Sequence, residues 1–297
     1  MRVLVTGANG QLGFELQQTC PTDVTLIATD AETLDITQPK QIAAALADHQ
    51  PDVVINGAAY TAVDKAEAEK ETAWLINATA PEYLAQATVQ QRQAGRNIHL
   101  VQVSTDFVFS GQQSTPYLPE DLPQPLSVYG ASKLAGEQAV LKHLTDALVV
   151  RTSWLYSGHG HNFVKTMLRL MQEKPKLGIV YDQVGTPTWA RTLASCIWAL
   201  LERQAQGIYH CSDQGVASWY DFAYAIQQEA LALKLLDKAI PIKAIRTKEY
   251  QLPAKRPAFS VMDKRSTESA LTTPLPHWQH SLQQMLLELS TNRNYNV

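Results

Sequence analysis

The first thirteen residues leave this chain few folds to choose from. Arg2-Val3-Leu4-Val5-Thr6 is a short aliphatic and β-branched run without polar alternation, the pattern of a strand buried on both faces of a parallel sheet. Gly7-Ala8-Asn9-Gly10-Gln11-Leu12-Gly13 follows at once, and residues 14–20 read as helix. Glycines spaced three and three at a strand-to-helix turn have a mechanical use. One makes the turn, one lets a pyrophosphate reach backbone N–H groups, and one lets helix and strand pack closely. The turn predicts a Rossmann-type, doubly wound parallel α/β sheet that binds a dinucleotide; the alternative is a tight turn and no more.

The rest of the first half keeps that rhythm. A second strand, 24–29, ends at Asp30, twenty residues past Gly10, where a dinucleotide fold places the carboxylate that accepts the adenosine ribose hydroxyls. No arginine lies between Arg2 and Arg92, so the usual guanidinium for a 2′-phosphate is missing and the site leans to NADH over NADPH. Asp30 could also do no more than end the strand. Residues 52–56 are a third strand, followed by the small residues Gly57, Ala58 and Ala59, which leave room for a flat cofactor. Residues 67–91 read as one long amphipathic helix containing Asn77, and 98–103 as a fourth strand leading to Ser104-Thr105-Asp106. Pro116, Pro119, Pro123 and Pro125 make 110–127 a loop, and 147–151 is a further buried strand closed by Thr152-Ser153-Trp154. From about residue 155 the alternation loosens. Helices are expected at 161–173, 189–204, 218–235 and 277–290, with short strands near 178–181 and 207–210. This predicts a cofactor domain over 1–154, to which some later chain returns, and a smaller, mainly substrate-binding lobe over 155–297. The polar tail from Ser290 to Val297 is expected to fray.

Between the two halves stands VYGASKLAGE, residues 128–137, with Tyr129 and Lys133 four apart at the start of a helix. Such residues share one face. A phenol with a pKa near ~10 exchanges protons poorly at neutral pH, and a neighbouring cation that favours phenolate would make it a usable acid or base. The same spacing also serves helix solubility. Composition removes other classes of function. A net charge of −3 with no Lys/Arg run offers no field for nucleic acid. Cys20, Cys196 and Cys211 are odd in number and lack a CxxC, so neither a disulfide framework nor a zinc site is suggested. No apolar run reaches ~18 residues, so no membrane span is expected, and a reducing cytoplasm fits best.

The glycine turn, Asp30, Ser104-Thr105 and the Tyr129/Lys133 pair together resemble the extended short-chain dehydrogenase/reductase superfamily. More closely, NGAAYTAVDKAE (56–67), VSTDFVFSG (103–111), PLSVYGASKLAGE (125–137), RTSWLYSGHGHNFVKTMLRL (151–170), DQVGTPT (182–188) and KRPAFSVMD (255–263) are similar to the dTDP-4-dehydrorhamnose reductase family. The resemblance implies reduction of the C4 ketone of a dTDP-6-deoxy-4-hexulose by NADPH, sometimes NADH. It implies Tyr129 as proton donor, Lys133 holding that phenol and the nicotinamide ribose, and Thr105 on the substrate oxygen with Asp106 facing the sugar. Trp154 should line the sugar-nucleotide site. Gly10, Gln11 and Leu12 should lie under the pyrophosphate, Asp35 and Ile36 near adenine, and Ala59, Tyr60 and Thr61 near the nicotinamide. Arg256 could bind diphosphate or sit on the surface, whereas Asn77, Asn162 and Gln183 read as structural. The chain departs from the family pattern at Pro119-Glu120, at Phe259 and at Met262. Some relatives dimerise around a metal held by Glu15 and a second acid; here that second region reads Trp189-Ala190-Arg191, so no metal is carried over, and a homodimer stays open. A non-catalytic regulatory subunit and a nucleotide-sugar epimerase or dehydratase are the competing readings.

Overall fold

In the computed structural model, which describes residues 1–291, the first half alternates strand and helix. Its elements are β1 (Arg2–Thr6), α1 (Gln11–Gln18), β2 (Thr25–Ala28), α2 (Pro39–His49), β3 (Val53–Asn56), α3 (Val63–Ala66), α4 (Lys70–Trp74), α5 (Ala80–Gln93), β4 (His99–Thr105), α6 (Val128–His143) and β5 (Leu148–Thr152). The second half holds β6 (Leu155–Tyr156), α7 (Phe163–Glu173), β7 (Leu177–Val180), β8 (Val184–Gly185), β9 (Thr188–Trp189), α8 (Ala190–Glu202) and β10 (Gly207–His210). It closes with β11 (Ala217–Ser218), α9 (Trp219–Ala232), β12 (Ile242–Ile245), α10 (Arg265–Ala270) and α11 (Trp278–Thr291). The tail beyond Thr291 lies outside the described residues.

Six strands form one parallel sheet in the order β2-β1-β3-β4-β5-β10. The chain runs outward from β1 to β2 and then crosses back to β3, so the order reverses between β1 and β3. Ligands bind open α/β sheets at the carboxyl ends of the strands beside such a reversal. Every residue of β3 and β5 is buried, which is why these segments read as unbroken apolar runs. One face of the sheet packs Leu12 and Leu16 of α1 with Leu193, Ile197 and Leu200 of α8. The other face packs Ile42 and Leu46 of α2 with Leu84 of α5 and Val140 of α6. Each such side chain contributes about 1.5–3 kcal/mol relative to exposure. A separate core joins Val164 and Leu168 of α7, Phe222 and Ile226 of α9, and Leu282 and Leu286 of α11. Both α8 and β10 lie after residue 155 yet belong to the sheet, β10 pairing with β5 from Gly207↔Leu148 to His210↔Arg151.

Two expectations need correction. The long helix over 67–91 is instead α4, a π-helical turn over Leu75–Thr79, and α5. Pro81 follows directly on this turn, whose helical backbone continues through Thr79 into α5, so it removes one intrahelical donor at the junction. Strand β4 runs on through Thr105, so Ser104 and Thr105 are strand residues rather than its exit. Among the described residues no helix is long and apolar enough to cross a membrane.

Arg151 of β5 and Glu137 of α6 form a buried ion pair, with Nη2–Oε2 at 2.7 Å and Nε–Oε1 at 3.0 Å. Arg151 Nη1 also donates to the carbonyl of Pro119 at 3.2 Å, tying the proline-rich loop to the sheet. His210 lies beside this pair, and burial together with the Arg151 charge pushes its pKa down to about 3, so the imidazole stays neutral.

Candidate active site

A cleft of about 830 Å³ opens over the carboxyl ends of the strands; its wall runs from Asp30 and Asp35 past the glycine turn to Tyr129, then to Trp154 and Trp219. The glycine turn is shaped by close approach. Gly7 has φ +68°, and a Cβ there would lie 2.8 Å from Ala58 Cα. A Cβ on Gly13 would lie 2.4 Å from the Gly7 carbonyl oxygen, so α1 could not begin where it does with any larger residue. Gly10, the N-cap of α1, receives no side-chain capping bond. The first-turn N–H groups of α1 have no intrahelical partner, and Gly10, Gln11, Leu12 and Gly13 line the cleft. This cradle suits the diphosphate of a dinucleotide.

At the far end Asp30 organises its own turn. Its Oδ1 accepts from Glu32 N and Thr33 N, each at 3.1 Å, and from Thr33 Oγ1 at 3.0 Å, while Asn9 Nδ2 donates to Oδ2. The Thr33 hydrogen bonds lead in holding this carboxyl below its usual range, so it is an anion at neutral pH. Asp35 is similarly held by Thr37, and Ile36 beside it also lines the cleft. No Lys, Arg or His among the described residues from Asp30 to Thr37 lines this end.

Ala59 and Thr61 line the cleft, but the Tyr60 side chain turns away from it. Its hydroxyl donates to Glu69 Oε2 at 2.6 Å. What holds the Tyr60 backbone is Asn77: Tyr60 N donates to Asn77 Oδ1 at 2.9 Å, and Asn77 Nδ2 donates to Tyr60 O at 3.0 Å and to Ser132 Oγ of α6 at 3.1 Å. The π-helical turn thus presents one amide that ties the 59–61 segment to the helix carrying Tyr129.

Helix α6 starts at Ser127, whose hydroxyl accepts from Gly130 N at 3.2 Å. Tyr129 is half-buried against the edge of Phe107, ring centroids 5.5 Å apart. Burial pushes its phenol up to about 12; the Asp106 charge adds to this, and a hydrogen bond with Thr105 opposes it. Thr105 Oγ1 lies 3.1 Å from Asp106 Oδ1 and accepts from Phe107 N at 3.2 Å. A hydroxyl has one proton to give. Thr105 thus has one proton to share between the Asp106 carboxylate and the Tyr129 oxygen. Asp106 itself is buried, and burial raises its pKa to about 6 against hydrogen bonds from Ser260 and Thr105. It is therefore mostly ionised at pH 7.

Lys133 is buried on α6. Its Nζ donates to the Val103 carbonyl at 2.7 Å, because one helical turn past Tyr129 the side chain reaches β4. Burial draws its pKa down to about 8, opposed by the Glu137 charge. The ammonium is then lost as pH rises through about 8, well below the ordinary lysine range. If this cation serves turnover, kcat/KM falls above pH 8; a profile flat to pH 10 would contradict that role.

Trp154 adopts φ +45° and is wedged between two surfaces. Its ring stacks on Trp219 at 3.6 Å and 3°, and a Cβ on Gly185 would lie 2.7 Å from its Cε2. Trp219 also lines the cleft and escaped the sequence reading, since nothing in a helix-start Trp of a loosely patterned lobe marks it. Arg256 lines the cleft too, but its fork is committed to Asp64, Nη2–Oδ2 2.7 Å and Nη1–Oδ1 3.1 Å. Glu15 lies outside the cleft wall: Ser157 Oγ donates to its Oε1 at 2.7 Å and Arg191 Nε to its Oε2 at 2.9 Å.

The sequence profile of the family described as RmlD substrate binding domain matches residues 1–291. A dTDP-4-dehydrorhamnose reductase of Escherichia coli K12 is 39% identical over 300 residues, covering 98% of this chain and 99% of the relative. The crystal structure of a dTDP-4-dehydrorhamnose reductase from Clostridium acetobutylicum superposes with a TM-score of 0.88 at 40% identity, over 96% of this chain and 98% of that one. A Bacillus anthracis dTDP-4-dehydrorhamnose reductase, solved in complex with NADP, gives 0.89 at 36% identity, over 97% and 99%. With its fold and almost its whole length shared with these proteins, the chain belongs to the RmlD substrate binding domain family.

Proposed function

We propose that this protein is a dTDP-4-dehydrorhamnose reductase, which reduces the C4 ketone of dTDP-6-deoxy-L-lyxo-4-hexulose to dTDP-L-rhamnose with NAD(P)H. The observation that carries the reading is the meeting of the Tyr129 and Thr105 hydroxyls in a cleft that also contains an uncapped, glycine-lined helix start. The nicotinamide, when bound, supplies hydride to the carbonyl carbon. The protein's own task is to meet the negative charge that builds on the oxygen. Tyr129, fully protonated at neutral pH, delivers its proton there, and its high pKa favours rapid recovery of a proton from water. Thr105, held by Asp106 and Phe107 N, fixes the phenol's direction. Trp154, immobilised by Trp219, forms the wall for the sugar. Gly7, Gly10, Gln11, Leu12 and Gly13 would cradle the cofactor diphosphate, and Lys133 sits at the nicotinamide end.

Loss of NADH absorbance in the presence of the keto sugar nucleotide, with dTDP-L-rhamnose as product, tests this reading. A regulatory subunit would consume none, and an epimerase or dehydratase would keep its nicotinamide oxidised. Asp30 supports NADH as the better reductant, because its carboxylate would accept ribose hydroxyls and repel a 2′-phosphate, with no cationic side chain among the described residues lining that end. We expect kcat/KM to favour NADH, and Asp30→Ala to shift the ratio towards NADPH by ~10-fold. A wild-type enzyme that strongly favours NADPH would refute this assignment to Asp30.

A further inference from the structure

We infer that His161 is a ligand for the diphosphate of the nicotinamide cofactor, supplied across the cleft by the second half of the chain; the inference rests on the cofactor reading above. Residues 157–162 cross onto the glycine turn and α1 and are fastened there at several points. Ser157 Oγ donates to Glu15, the His159 ring stacks on Phe14 at 4.5 Å and 7°, and His159 Nε2 lies 2.9 Å from the Asn9 carbonyl oxygen. Asn162 Nδ2 donates to Gln11 Oε1 at 3.0 Å, and its Oδ1 accepts from Lys165 N at 3.1 Å as the N-cap of α7. A Cβ on Gly160 would lie 3.2 Å from Gln11 Cγ. His161 therefore stands between two residues that touch Gln11, itself in the first turn of α1.

Among the described residues three side chains lining the cleft can be cationic. Lys133 is engaged with Val103 O and Arg256 with Asp64. His161 is exposed and makes no hydrogen bond or ion pair with another described residue. A diphosphate brings negative charge to a cleft whose adenosine end already holds Asp30 and Asp35. Backbone N–H groups alone would have to offset it. An imidazole offers an N–H donor in either tautomer, and a second donor when charged. Phe14, Asn9 and Gln11 hold the loop that carries it, so little ordering is left to be done on binding.

The sugar nucleotide carries a diphosphate as well, so the test titrates both ligands. Calorimetric or fluorescence titration of the intact protein with NADH and, separately, with dTDP compares the wild type, His161→Ala and His161→Lys. NADH dissociation constants should rise ~10-fold in His161→Ala and return to within about threefold of wild type in His161→Lys, with dTDP affinity unchanged in both. Equal NADH affinity in wild type and His161→Ala overturns the inference. So does a loss that falls on dTDP instead, or one that lysine does not restore. A wild-type protein that binds no NADH at all would instead remove the cofactor reading and this assignment together.

Discussion

Replacing Tyr129 with phenylalanine is expected to lower kcat by roughly a hundred- to ten-thousand-fold, the range typical of removing a positioned general acid. Cofactor affinity should change little, because the ring, its edge contact with Phe107 and the start of α6 all remain. The loss belongs to kcat because the proton is needed only as charge develops on the carbonyl oxygen. Thr105 cannot substitute while its own proton is on Asp106. Single-turnover NADH oxidation, combined with a separate NADH titration, reads both quantities. Turnover within about threefold of wild type would remove Tyr129 as the donor.

The largest expected effect on stability lies at the buried pair. Arg151→Met should destabilise the protein by about 3–5 kcal/mol, because it leaves the buried Glu137 carboxylate without its ion-pair partner. It also removes the tether from Arg151 to the Pro119 carbonyl. The double variant Arg151→Met, Glu137→Leu should recover much of that loss, since an apolar pair of similar volume removes the unpaired charge. Denaturant unfolding of the three proteins checks this. A single variant that loses less than about 1 kcal/mol would mean that water or rearrangement satisfies Glu137.

The sheet was legible because its central strands are buried on both faces and its glycine turn has no room for a Cβ at Gly7 or Gly13; β1, β3 and β5 fall within a residue of where their apolar runs place them. The break in the 67–91 helix was not, since a π-helical turn leaves apolar spacing almost unchanged and is held by Asn77 contacts that only the fold creates. The cleft shows the same division. Asp30 and Tyr129, which motif spacing singles out, and Thr105 and Trp154, which the family resemblance added, fall on its wall at strand ends and a helix start. The Tyr60 side chain leaves the cleft for Glu69, a partner nine residues away that spacing does not announce. Trp219 and His161 arrive from the second half of the chain, brought in by packing on Trp154 and Gln11 that no local pattern records.

The return of β10 to the sheet has a consequence for synthesis on the ribosome. Strand β5 ends at Thr152, and its outer neighbour begins only at Gly207, after the intervening segment has been made. Until then the nascent sheet carries an unpaired, fully buried-type strand at its rim, with the Leu193 and Ile197 cover also still to come. Such a rim invites pairing with another chain. The nascent protein thus passes through a window, about one helix-rich segment long, in which the apolar edge of β5 lacks its native neighbour.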